Sequence, residues 1–183
     1  MVCLRACDGN AGLVPYAPTI AGWAMRSSSY AVPAMVIHAL TLAECRDVLA
    51  RASHGRIGCA RADQPYVVPF FFQFDPAGDS VYSFSGVGQK IDWLRENPMA
   101  CVEVDEVVDR FNWTSVVAFG RYEEMRDSPE EEGARRRAYR VFQQRADWWL
   151  PALGKLTGGA EPHTGVMYRI VLHKMTGRRA SQT

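Results

Sequence analysis

Residues 65–74 read PYVVPFFFQF, and this stretch decides the fold. β-branched and aromatic residues dominate it, which is strand composition. Its apolar residues do not alternate, however: Val67, Val68, Phe70, Phe71 and Phe72 place apolar groups on both faces. An antiparallel strand with one face in water reads apolar-in, polar-out. The outer face must therefore be covered by a helix or by a second subunit. Pro69 removes one ladder hydrogen bond, which points to an edge, a bulge, or a place where another group meets the backbone.

Working outward, RIGCARA (56–62) and SVYSFS (80–85) read as strands, and the short links DQ and DPAGD are hairpin chemistry. Upstream, TLAECRDVLARAS (41–53) opens with a capping box, Thr41-x-x-Glu44, and Leu42, Cys45, Val48, Leu49 and Ala52 share one helical face. Downstream come two strands, MACVEVDE (99–106) and NWTSVVAFGRYEEM (112–125). In the second, Trp113, Val117 and Phe119 alternate with Thr114, Val116 and Ala118. A long helix follows from Ser128, with Pro129 in its first position, Glu131 as capping-box partner and the pairs Glu131–Arg135 and Glu132–Arg136 at i, i+4. The arginine run 135–137 is read as a solvated helix face. A glycine-rich loop leads to a last strand, GVMYRIVLHKM (165–175). The expectation is an α+β fold: six mostly antiparallel strands forming a small barrel, with flanking helices. Residues 1–34 are expected to be a flexible N-terminal extension, with Met35 a candidate translation start, residues 35–176 the domain, and 177–183 a tail.

The chain has 183 residues, enough for one domain with a proper core; 48% are hydrophobic and 22% charged. A net charge of +1 offers no basic field for nucleic acid or membrane surfaces, and no apolar run reaches the roughly 20 residues of a membrane-spanning helix. Five cysteines without CxxC spacing read as scattered reduced thiols, which places the protein in the cytoplasm. His38, His54, His163 and His173 have no metal-ligand spacing, so no metal site is expected.

One placement is electrostatically odd. After the strand ending in Ser83 and Ser85, the turn carries Gly86 and Gly88, and a helix then begins with Lys90 in its first turn. Helix starts already carry partial positive charge, so a cation there is mildly unfavourable. A phosphate would reverse that penalty, because glycines admit close approach and free helix-start amides bind anions. The other reading is an exposed lysine that bends away from the helix at little cost.

GRIGCARADQPYVVPFFFQFD, SVYSFSGVGQKIDWLRENPMACVEVDE and WTSVVAFGRYEEM together resemble the pyridoxamine 5′-phosphate oxidase-like flavoproteins, in the branch that includes the nitroimidazole-resistance (Nim) proteins. The resemblance spans residues 41–176. It rests on the PYVVP strand, the G-x-K-I-x-x-L helix start followed by Asn97-Pro98, and W-x-S-V-x-x-x-G from Trp113. It implies a split β-barrel that dimerises and holds FMN between subunits. Lys90 would hold the phosphate, with Ser83 and Ser85 nearby. Val67, Val68, Pro69 and Phe70 would line the flavin ring, and Trp113 and Ser115 would reach it from the partner subunit.

The chain departs from true pyridoxamine phosphate oxidases. It lacks their basic C-terminal substrate site, and TSVVAFG stands where they carry an arginine-rich strand, so making pyridoxal phosphate is not expected. The resemblance instead implies an FMN-dependent oxidoreductase acting on a small electrophile, such as a nitro compound or quinone, with a nicotinamide reductant. A flavin storage or sensing module, and a split barrel that binds haem or a deazaflavin, are the alternatives. No catalytic side chain is assigned.

Overall fold

The computed structural model describes residues 34–126, 128–144 and 165–182. Residues 1–33 of the expected extension 1–34, the end of the long helix beyond 144 and the glycine-rich loop lie outside the described residues.

Among the described residues, eight strands and three helices follow in the order β1 (Met35–Ala39), α1 (Leu42–Arg51), β2 (His54–Arg61), β3 (Gln64–Phe71), β4 (Gln73–Asp75), β5 (Ser80–Ser85), α2 (Gln89–Glu96), β6 (Met99–Val107), β7 (Trp113–Glu124), α3 (Glu132–Gln143) and β8 (Val166–Gln182). All strand pairs are antiparallel. The sheet runs β3-β2-β6-β7-β8-β5-β4, with β1 added along the free flank of β8. Its two ends, β3 and β4, are separated by a single residue, Phe72, so the sheet curls into a barrel that is split rather than closed.

Two expectations change. The stretch 65–74 is not one strand. It breaks at Phe72, whose side chain is fully buried and whose amide donates to the Ser53 carbonyl at 3.0 Å, and the chain moves from one edge of the sheet to the other. The residues read as a tail, 177–183, are strand through Gln182, because β8 continues along β7 and pairs with β1, the other strand not foreseen. Eight strands therefore replace the expected six.

Local chemistry explains the joins. Ala62 and Asp63 both take positive φ, 47° and 63°, the two-residue hairpin turn whose twist suits β2 and β3. The Thr41 capping box forms as read, with the Glu44 amide donating to Thr41 Oγ1 and the Thr41 amide donating to Glu44 Oε2. Cys45, Val48 and Leu49 turn inward, while Leu42, in the first turn, stays exposed. The third helix starts later than expected: Glu131, not Ser128, is the N-cap, and Glu132–Arg136 pairs at 2.8 Å.

The main core fills the barrel. Phe70, Phe72 and Phe74 meet Val102, Val116 and Ile170 there, and α2 covers one end with Ile91 and Leu94. A second cluster forms outside it, where Ala138, Val141 and Phe142 of α3 pack on Tyr82 and Met125. Arg137 fastens this helix to β4 with two contacts on the buried Asp75 carboxylate, at 2.8 and 2.7 Å. No helix among the described residues is long and apolar enough to cross a membrane.

Where β7 crosses β8 the register slips between Phe119 and Gly120. A Cβ on Gly120 would stand 2.5 Å from Ile170 Cγ2 and 2.6 Å from the Val171 carbonyl, a clash no rotamer relieves. Gly120→Ala is therefore expected to lose about 1–3 kcal/mol of stability in urea unfolding. An unchanged midpoint would show that the crossing is looser than this geometry.

Candidate functional site

The turn after β5 and the start of α2 form the centre of the site. Gly88 is the N-cap of α2, so no side chain caps the helix amides. Gly86 and Gly88 are exposed, and a Cβ at either would meet no atom within 4 Å. Gly88 is also extended, at φ 173°, a conformation any residue adopts. Packing does not require these glycines, and the space beside them suits a group that approaches the backbone.

Lys90 points back toward the barrel and is half-buried. Its Nζ lies 5.7 Å from the centre of the Tyr168 ring, close enough to the Cys59 thiol for the two to influence each other. Burial holds the Lys90 amine below its ordinary pKa and, at the fully buried Tyr168, pushes the phenol up to about 12. Burial also raises the Cys59 thiol, while the nearby ammonium pulls it the other way. Among the described residues no carboxylate pairs with Lys90. Arg95 on the same helix is the contrast: Glu124 grips its guanidinium at 2.8 Å through both oxygens.

Both serines flank this centre. Ser83 is buried and donates from Oγ to the Phe71 carbonyl at 2.7 Å, joining β5 to the end of β3. Ser85 is half-buried and donates to the Gly86 carbonyl at 2.9 Å. The β3 residues divide by face. Val67, Pro69 and Phe71 point outward, with Val67 63% and Phe71 55% exposed. Val68 packs on the core, and Phe70 is buried and stacks on Phe72 at 5.2 Å. A ligand on the outer face therefore meets side chains of Val67 and Pro69 but only backbone at Phe70. Pro69 sits on an edge strand in unbroken register with Arg56, so it needs no bulge.

Trp113 and Ser115 lie elsewhere in the same chain. They begin β7, opposite Val107 and Asp105, whereas the Lys90 end of the sheet lies near Cys59, Ala100 and Gly120. From Trp113 to Gly120 is about 23 Å of extended chain. One chain thus brings Lys90, Ser83 and Ser85 together but does not add Trp113 and Ser115. Tyr168 and Cys59 are neighbours of Lys90 that the sequence reading missed. The inward alternation of Val166, Tyr168 and Ile170 marks a buried tyrosine, but nothing local links it to Lys90. No grouping of His, Cys, Asp and Glu among the described residues suits a metal ion.

The unpaired ammonium has a cost that can be measured. The folded state lowers the lysine pKa from its usual 10.5, so the folded protein gives up that proton more readily than the unfolded chain. The penalty is fully present below the folded pKa and is relieved as pH climbs to 10.5. Lys90→Met should accordingly unfold at a higher temperature than the parent near neutral pH, with the advantage shrinking toward pH 10.5. Equal stability at all pH values would mean that burial does not strain the charge.

Residues 41–179 match the family model described as pyridoxamine 5′-phosphate oxidase. An uncharacterized protein of Rhizobium meliloti, RA0666, is 33% identical over 150 residues, covering 80% of this chain and 97% of its own length. The crystal structure of an FAD-binding protein from Mesorhizobium loti is 36% identical, with a TM-score of 0.64 over 81% of this chain and all of its own. A candidate 5-nitroimidazole antibiotic resistance protein from Bacteroides thetaiotaomicron, 19% identical, shares the fold with a TM-score of 0.56 over 81% of this chain and 93% of its own. With that match over most of its length and this split-barrel topology, the chain belongs to the pyridoxamine 5′-phosphate oxidase-like family.

Proposed function

We propose that this chain binds flavin as FMN, with Lys90 on the phosphate, and acts as an oxidoreductase on a small electrophile of the nitro or quinone type. One observation carries the reading: a half-buried lysine without a carboxylate partner, beside an uncapped helix start and glycines that the fold does not need. A dianionic phosphate satisfies both the ammonium and the free amides. The residues present fit the group, since the outer face of β3 beside them offers apolar side chains and an edge backbone to a planar ring.

A bound flavin supplies hydride or electron transfer, drawn here from a nicotinamide reductant. The protein's share is placement. Lys90 and the α2 amides hold the phosphate, Ser83 fixes the end of β3 against β5, and Val67 and Pro69 exclude water from one side of the ring. Val67, largely exposed on the edge strand β3, supports a homodimer. The partner subunit then brings its own Trp113 and Ser115 to the flavin. The free thiols Cys45, Cys59 and Cys101 fit a cytoplasmic setting.

The 36% identity to a protein described as FAD-binding favours a second reading, in which the flavin is the dinucleotide. The visible spectrum of the purified protein, repeated on the supernatant after heat denaturation, separates the two: released FMN supports the first reading and FAD the second. A colourless protein that takes up neither would overturn both. Lys90→Ala should weaken FMN binding by about 2–3 kcal/mol, and an unchanged affinity would remove the phosphate role. In light scattering the protein should be a dimer, and Phe71→Glu should yield monomers with weakened flavin binding. A wild-type monomer that binds flavin tightly would contradict the shared cleft.

A further inference from the structure

Lys90 raises a problem that a phosphate alone does not solve. Before any anion arrives, its charge must be tolerated where burial disfavours it, and its long flexible stem must be held in the pocket rather than in solvent. A carboxylate would do both, as Glu124 does for Arg95, but it would also cancel the charge the phosphate needs. We propose that Tyr168 is the positioning residue of this site: its ring face holds the Lys90 ammonium in the pocket without neutralising it. This rests on the reading of Lys90 as the phosphate-binding lysine.

The geometry suits that role. The ammonium lies 5.7 Å from the ring centre, within reach of the negative face of an aromatic ring. Tyr168 has no freedom to move away. It is fully buried, pairs in register with Ser83 of β5, and packs against the Tyr122 ring at 5.3 Å. The other group facing Lys90 is the Cys59 thiol, which burial keeps in its neutral form. The pocket thus presents one uncompensated positive charge on a fixed platform. The Tyr168 hydroxyl lies beside Ser83 but makes no well-formed hydrogen bond among the described residues, so the ring and not the hydroxyl is the working part.

The test compares dissociation constants for FMN and riboflavin, which differ by the phosphate alone, in the full-length protein. Tyr168→Phe should keep the wild-type preference for FMN. Replacing Tyr168 by phenylalanines with one, two and three ring fluorines keeps the shape while draining the ring's negative face, and the preference should fall stepwise, by about tenfold at the trifluoro ring. In flavin-free protein, the Lys90 amine pKa, followed by NMR of labelled lysine, should fall in the same order. A flat preference and a flat pKa across the series, with Lys90→Ala still abolishing the preference, would reduce Tyr168 to packing and leave the phosphate reading intact. If Lys90→Ala itself leaves the preference unchanged, the phosphate reading fails, and this inference fails with it.

Discussion

The whole arrangement depends on the chain crossing an open seam at a single residue. β3 and β4 are opposite edges of one sheet, yet only Phe72 separates them. Buried in the main core, Phe72 anchors the crossing by packing, and the Ser83 hydroxyl satisfies the Phe71 carbonyl just before it. An edge carbonyl left without a partner in this half-buried place would cost free energy comparable to a lost hydrogen bond. The same hydroxyl sets the distance between β5 and the end of β3. The turn that follows β5 is thereby carried toward the end of the edge strand β3. The split seam and the position of this turn are one geometric fact.

On that frame the charges are arranged unevenly, and the unevenness is informative. Most basic side chains near the barrel have acidic partners: Arg95 with Glu124, Arg137 with Asp75, Arg51 with Glu106, Arg169 with Glu123. Lys90, more enclosed than a surface lysine, has an aromatic face instead. A half-buried charge without an acidic partner is the kind of local conflict that marks binding sites. Cofactor binding would return the lost stability through mass action, so the site and the fold would gain together.

The sheet also explains why one chain carries two separated groups. β7 is long, and its start, with Trp113 and Ser115, lies far along the strand from the Lys90 end. Curling a sheet cannot shorten a strand. A site that used both ends of β7 would have to draw them from different molecules.

By itself the sequence determined the local elements. Thr41 and Glu44 announced a helix start that forms as written, the alternation in 112–125 marked β7, and the apolar run at 65–74 announced a strand with apolar residues on both faces. The Lys90 anomaly was legible too, because helix-start electrostatics are local. Only the tertiary structure decided that this run breaks at Phe72, that residues 177–182 are strand, and that Phe70 turns into the core. Each depends on partners distant in sequence: the edge of β5, the free flanks of β7 and β1, and the packing of Phe72. The pairing of Lys90 with Tyr168 was hidden for the same reason, since the two meet only when the last strand closes beside β5.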